Sequence, residues 1–160
     1  MISMISSVGK NSELGKNNSL IWHFKDDMKF FKNTTMGHTV VMGYNTYKSL
    51  PGDLPGRHII VVSHKHLKGV DTVDSIEPII EKYKNSTEEI FICGGASIYK
   101  QFLPYANKLY LTEIDALDSE ADTYFPEFDK SLWCKTLIDT SCEHKIKFRM
   151  YLYEREIGDI

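Results

Sequence analysis

The sequence predicts an α/β fold built on a largely parallel sheet, and three features point to it. The run His58-Ile59-Ile60-Val61-Val62-Ser63 is almost continuous in apolar, β-branched residues, as in a parallel strand covered on both faces. Two more apolar runs, residues 38–42 and 89–93, each pass into a glycine turn and then a helical pattern. Near the C-terminus Ile146, Phe148, Met150 and Leu152 alternate with Lys147, Arg149, Tyr151 and Tyr153, as an antiparallel edge strand would.

A chain of 160 residues suits a single domain, 1–160, large enough to bury a core without disulfides or metal. With 42% hydrophobic and 26% charged residues, net charge -3 and no basic run, it has no footprint for nucleic acid. The N-terminal Met1-Ile2-Ser3-Met4-Ile5-Ser6-Ser7-Val8 lacks the positive leader of a secretory signal. No segment reaches the ~18 apolar residues of a membrane span. A cytoplasmic protein without a membrane partner is expected. Cys93, Cys134 and Cys142 are odd in number and lack Cys-x-x-Cys spacing, so reduced thiols are expected, with neither a disulfide framework nor a metal site.

In chain order, residues 1–8 mix small, β-branched and Met residues and suit a buried central strand. Residues 9–23 carry Gly9, Asn11, Gly15, Asn17, Asn18 and Ser19 and have no periodicity of their own. Apolar Leu14, Leu20, Ile21 and Trp22 make this loop a lid. It runs into an amphipathic helix on which Phe24, Met28, Phe31 and Thr35 share one face, with Asp27 at the edge and Asp26 toward solvent. An acid against aromatic and thioether groups is costly to ionise unplaced, so Asp27 calls for a polar ligand. The alternative is that both acids merely complement the helix dipole.

Residues 38–42 form the next strand, and Gly43-Tyr44-Asn45-Thr46-Tyr47 turns it into a helix capped by Asn45 or Thr46. Free N–H groups there suit a phosphate, though such a turn equally well binds nothing. The turn-rich stretch 50–57 ends in Arg57. His64, Lys65 and His66 follow the strand at 58–63, either where ligands of open α/β sheets bind or as a solvated patch. Residues 70–73 read as a short strand and 75–83 as a helix with Ser75 as N-cap and Pro78 in its early turns. At 89–99 a strand, the Gly94-Gly95 pair and a helix follow; the glycines serve close approach to a pyrophosphate or a tight turn of positive φ. Strands at 108–115, 133–139 and 145–154 complete the chain.

Seven motifs in order resemble bacterial dihydrofolate reductase over nearly the whole chain: Met1-Ile2-Ser3-Met4-Ile5, Leu14-Gly15 with Asn18-x-Leu20-x-Trp22, Asp27-x-x-x-Phe31-Lys32-x-x-Thr35, Val41-Met42-Gly43-x-x-Thr46, Leu54-Pro55-Gly56-Arg57, Gly94-Gly95-Ala96-x-Ile98-Tyr99 and Asp122-Thr123-Tyr124-Phe125-Pro126. The resemblance implies a twisted eight-stranded, mostly parallel sheet with an antiparallel C-terminal strand and four flanking helices. It implies hydride transfer from NADPH to 7,8-dihydrofolate, a step of one-carbon metabolism supporting thymidylate and purine synthesis, and a target of antifolate inhibitors.

By the same resemblance, Asp27 accepts a paired hydrogen bond from the pterin, supported by Thr112, while Leu20 and Trp22 gate water. Met28, Phe31, Lys32, Leu50 and Leu54 enclose the substrate, Arg57 grips its glutamate carboxylate, and Ile5, Ser6 and Cys93 line the floor. Ser7, Leu14, Gly15, Asn18 and Leu20 meet the nicotinamide half of the cofactor. Gly43, Tyr44, Asn45, Thr46 and the run Gly94, Gly95, Ala96, Ser97, Ile98 and Tyr99 hold the pyrophosphate side, with Ser63, His64 and Lys65 beyond.

The chain departs from the family where relatives often carry cations: Tyr44, Asp74 and Ser97 stand there, leaving Lys65 to discriminate the 2′-phosphate of NADPH. Ile21 replaces a frequent proline before Trp22, freeing a φ in the lid. Two rival readings share parts of this pattern, a reductase of ribosylaminopyrimidines and a non-catalytic nucleotide-binding module. Asp27 beside Phe31 argues against both. Without a long amphipathic helix for pairing, a monomer is expected.

Overall fold

The computed structural model describes residues 1–17 and 19–156. Asn18, expected at the cofactor, lies outside the described residues. In chain order the elements are β1 (Ile2–Val8), β2 (Glu13–Lys16), β3 (Ser19–Leu20), α1 (Lys25–Thr35), β4 (Thr39–Gly43), α2 (Tyr44–Lys48), β5 (His58–Val62), β6 (Asp71–Val73), α3 (Glu77–Tyr83), β7 (Ile90–Ile92), α4 (Ala96–Phe102), β8 (Lys108–Ile114), β9 (Thr123–Tyr124), β10 (Trp133–Glu143) and β11 (Ile146–Arg155). Eight of the strands form one sheet in the order β10-β11-β8-β1-β7-β4-β5-β6. Only β11 runs antiparallel to its neighbours, so the expected α/β architecture with one reversed C-terminal strand and four helices holds.

Period-two alternation divides the core into two layers, one on each side of this sheet. Ile2, Met4, Val41, Ile92, Leu109 and Leu111 pack with Ile79, Ile80, Tyr83, Ile98, Tyr99 and Phe102 of α3 and α4. Their strand neighbours Ile5, Val40, Met42, Val61 and Phe91 face the other way, toward Phe30 and Phe31 of α1, Tyr47 of α2, and Leu50 and Leu54. The central strands are apolar on both faces because both are covered. Their carboxyl ends, at Ser6 and Ser7, Gly43, Ser63, Cys93 and Thr112, lie along one rim, the edge where open α/β sheets bind ligands.

Four expectations need correction. Residues 9–23 are not a featureless loop: β2 pairs with β3 and with β9 in a separate three-stranded sheet. The strand 145–154 is not an edge, since β11 sits between β8 and β10, and Tyr153 on its supposedly outer face is 1% exposed. The N-caps are Gly43 for α2 and Ile76 for α3, rather than Asn45 or Thr46 and Ser75. Ser75 instead hydrogen-bonds the Glu77 carboxylate, holding it below the ordinary carboxylate range. Finally, Met28 is 60% exposed, whereas Phe24 and Thr35 of the same intended face are buried. Phe24, just ahead of α1, stacks on Phe148 with centroids 4.6 Å apart, which turns the helix so that Phe30 joins Phe31 against the sheet.

Candidate active site

At the rim, Asp27 projects from the first turn of α1 toward the ends of β1 and β8. Thr112 Oγ1 donates to its Oδ1 at 2.6 Å, and Ser7 Oγ donates a short bond to Oδ2. Both donors stand on the sheet face that carries Ile5, because residues two apart on a strand share a face. Burial pushes the Asp27 carboxyl above its ordinary value, and the field of Glu143 adds to this; the hydroxyls of Ser7 and Thr112 pull it partway back. An ionised carboxylate has about four lone-pair positions, and two hydroxyls use two. What remains suits a pair of parallel donors arriving from the cleft.

The other residues expected around the substrate divide into two groups. Ile5, Phe31, Leu50, Leu54 and Cys93 belong to one apolar cluster beside Asp27. The Cys93 thiol is pushed up to about 12 by burial, despite the opposing charge of Arg57, and so stays protonated and inert. Arg57 is held by Nε to the Pro55 carbonyl at 3.2 Å and by Nη1 to Thr35 Oγ1 at 3.4 Å, with Nη2 uncommitted among the described residues. Lys32, Met28 and Leu20 are exposed. Trp22 packs instead on the cluster of Phe24, Ile114, Phe148 and Met150. Ser6 is partly buried at the end of β1, and below it Tyr99 Oη donates to the Ile5 carbonyl at 2.7 Å.

The two glycine turns meet. Gly43 N–H donates to the Gly94 carbonyl at 2.9 Å, so the starts of α2 and α4 lie side by side. Neither helix has a side-chain cap, and Gly94 has φ +112, closed to most side chains. A Cβ on Gly95 would stand 3.6 Å from Thr46 Oγ1, inside the space that the turns share. The Gly94-Gly95 peptide is cis. Asn45 and Ser97 are exposed along this edge, and Ala96 and Ile98 carry α4 back into the core. Beyond it, Ser63 Oγ accepts the Lys65 N–H at 3.0 Å, next to exposed His64. Lys65 Nζ sits 4.4 Å from the Tyr44 ring centre, and Lys48, which sequence reasoning did not single out, lies 5.9 Å from it. The four-residue spacing of Tyr44 and Lys48 on a helix was the available signal.

The lid is more ordered than its sequence suggests. Glu13, 2% exposed, accepts the backbone N–H groups of Asn11 at 2.6 Å and Asp118 at 2.8 Å. Asp122 donates its N–H to the Gly15 carbonyl and accepts that of Asn17. Leu14 is buried in the core through this clasp, and Leu20 remains 56% exposed.

A family model described as dihydrofolate reductase matches residues 1–155. The dihydrofolate reductase HdrB of Haloferax volcanii is 36% identical over 165 residues, covering 96% of this chain and 82% of that protein. The dihydrofolate reductase of Bacillus subtilis is 39% identical over 136 residues, covering 83% and 80%. Among solved structures, a dihydrofolate reductase from Enterococcus faecalis complexed with NADP(H) and RAB-propyl is similar with TM-score 0.87 at 30% identity, covering 98% of this chain and 96% of that one.

Proposed function

Since the chain belongs to the dihydrofolate reductase family, we propose that it reduces 7,8-dihydrofolate to tetrahydrofolate with NADPH, adding hydride at C6 and a proton at N5. The observation that carries this reading is the Asp27 carboxylate, gripped from the sheet side by two hydroxyls and only partly buried beside an apolar wall. A pterin presents a ring nitrogen and an amino group as two parallel donors, and a carboxylate matches that edge. Phe31, Leu50 and Leu54 supply area for its rings, and Arg57, whose Nη2 is uncommitted among the described residues, is the group to pair with a tail carboxylate.

The residues present fit the cofactor: Gly95 leaves open the space between the turns that a Cβ would fill, and Tyr44 with Lys65 gives a cationic platform for its adenosine phosphate. When bound, the reduced nicotinamide supplies the hydride. The part of the chain is orientation and charge. Asp27 anchors the far edge of the pterin and cannot reach N5, so it acts by making the bound ring more basic, while water delivers the proton. The lid clasped by Glu13 and Asp122 limits how much water enters. Correct placement of reacting groups is worth up to about 7–11 kcal/mol in such reactions.

The test is to mix the protein with NADPH and dihydrofolate and follow loss of reduced nicotinamide. Turnover with dihydrofolate is expected; turnover with a ribosylaminopyrimidine alone would transfer the chain to the rival reaction.

A further inference from the structure

We propose that Ser7 is a positioning residue of the active site, its hydroxyl acting with that of Thr112 to fix the plane of the Asp27 carboxylate; this rests on the reading of Asp27 as the pterin anchor. β1 and β8 are parallel and paired so that Ser7 lies directly beside Thr112. Side-by-side residues of neighbouring strands point to the same face, and here both hydroxyls reach one carboxylate, Ser7 at Oδ2 and Thr112 at Oδ1.

Two donors are needed for a definite reason. The terminal torsion of an aspartate is broad, so its side chain sets no carboxylate plane by itself. One hydroxyl would leave the group free to swing about that bond. A second, on the other oxygen, stops the swing and turns the unused lone pairs together toward the cleft. The same two bonds favour the charged form, which is the form that accepts from a pterin.

The surroundings contain few competing charges. β1 carries none, and Glu113 on β8 is engaged by Lys135 and Tyr153. On α1, Asp26 is bonded by Ser141, while Lys25, Lys29 and Lys32 are exposed. From β10, Glu143 accepts the Lys25 and Asp26 N–H groups at 2.9 Å and is the charge whose field reaches Asp27. β11 places Met150 opposite Thr112.

The experiment uses the full chain as Ser7→Ala, Ser7→Cys and Ser7→Thr. The Asp27 carboxyl is titrated by carbon NMR without ligands, and KM for dihydrofolate and for NADPH is measured alongside. In Ser7→Ala the titration midpoint should rise by about one pH unit, the size a lost hydrogen bond to an ionised acceptor produces. KM for dihydrofolate should rise about tenfold with that for NADPH unchanged, and Ser7→Thr should restore both. Ser7→Cys keeps the volume with a weaker donor and should fall between, which keeps the test decisive if the alanine variant does not fold. An unmoved midpoint overturns the proposal, as does a rise in KM for NADPH, which would assign Ser7 to the cofactor as the family resemblance implies. The titration needs no turnover, so its outcome is separate from that of the activity assay.

Discussion

The burial of Asp27 works against stability at neutral pH. Its carboxyl is raised above 3.8 mainly by burial, so the folded protein holds that proton more tightly than the unfolded chain. Stability from this group is therefore highest below 3.8, falls as pH climbs through the raised value, and the loss is complete above it. Asp27→Asn removes the buried charge at nearly equal volume. Calorimetry at pH 7 should show a higher melting temperature by about 2–4 °C per kcal/mol relieved, an advantage that shrinks as pH is lowered. At the opposite end of the site, Lys65→Ala should erode the preference for NADPH over NADH, read as the ratio of kcat/KM, because Tyr44 offers no charge of its own. Asp27 was legible in the sequence because it sits among aromatic residues on a helical pattern. Ser7 was not legible as its partner: a bond between residues 20 positions apart leaves no periodic trace.

At the scale of elements, turns and strands were read well and the lid poorly. Apolar runs ending in glycine announce a strand and a helix start, and both turns lie where the sequence put them. The lid's strands β2, β3 and β9 are two to four residues long, below the length at which alternation can be recognised. Their order comes from a buried acid, Glu13, a residue type that ordinarily lies exposed. Glu13→Ala would strand two backbone donors, at about 1–3 kcal/mol. Hydrogen exchange should then quicken at the Asn11 and Asp118 amides, while β1 and β8 keep their protection. Equal protection in the variant would show that the lid is held elsewhere. The misreading of β11 as an edge has a similar origin: Tyr153 is buried beside Phe128 and donates to Glu113, although its neighbours Glu154 and Arg155 look like solvent residues.

Taken as a whole, the molecule brings residues from five parallel strand ends and three helix starts to one rim, and this is what the order of motifs foreshadowed. Packing α1 and α2 on one face and α3 and α4 on the other leaves that rim open at the centre of the sheet. The proposed reaction takes up a proton, so turnover should fall as pH rises on the alkaline side, approaching about tenfold per unit, in a steady-state profile. The most direct measurement is single-turnover reduction of dihydrofolate by NADPH in the native protein and in Asp27→Asn. The hydride step should slow by about a hundred- to a thousandfold in the variant while NADPH binds as before. A hydride step of unchanged rate at neutral pH would contradict the account.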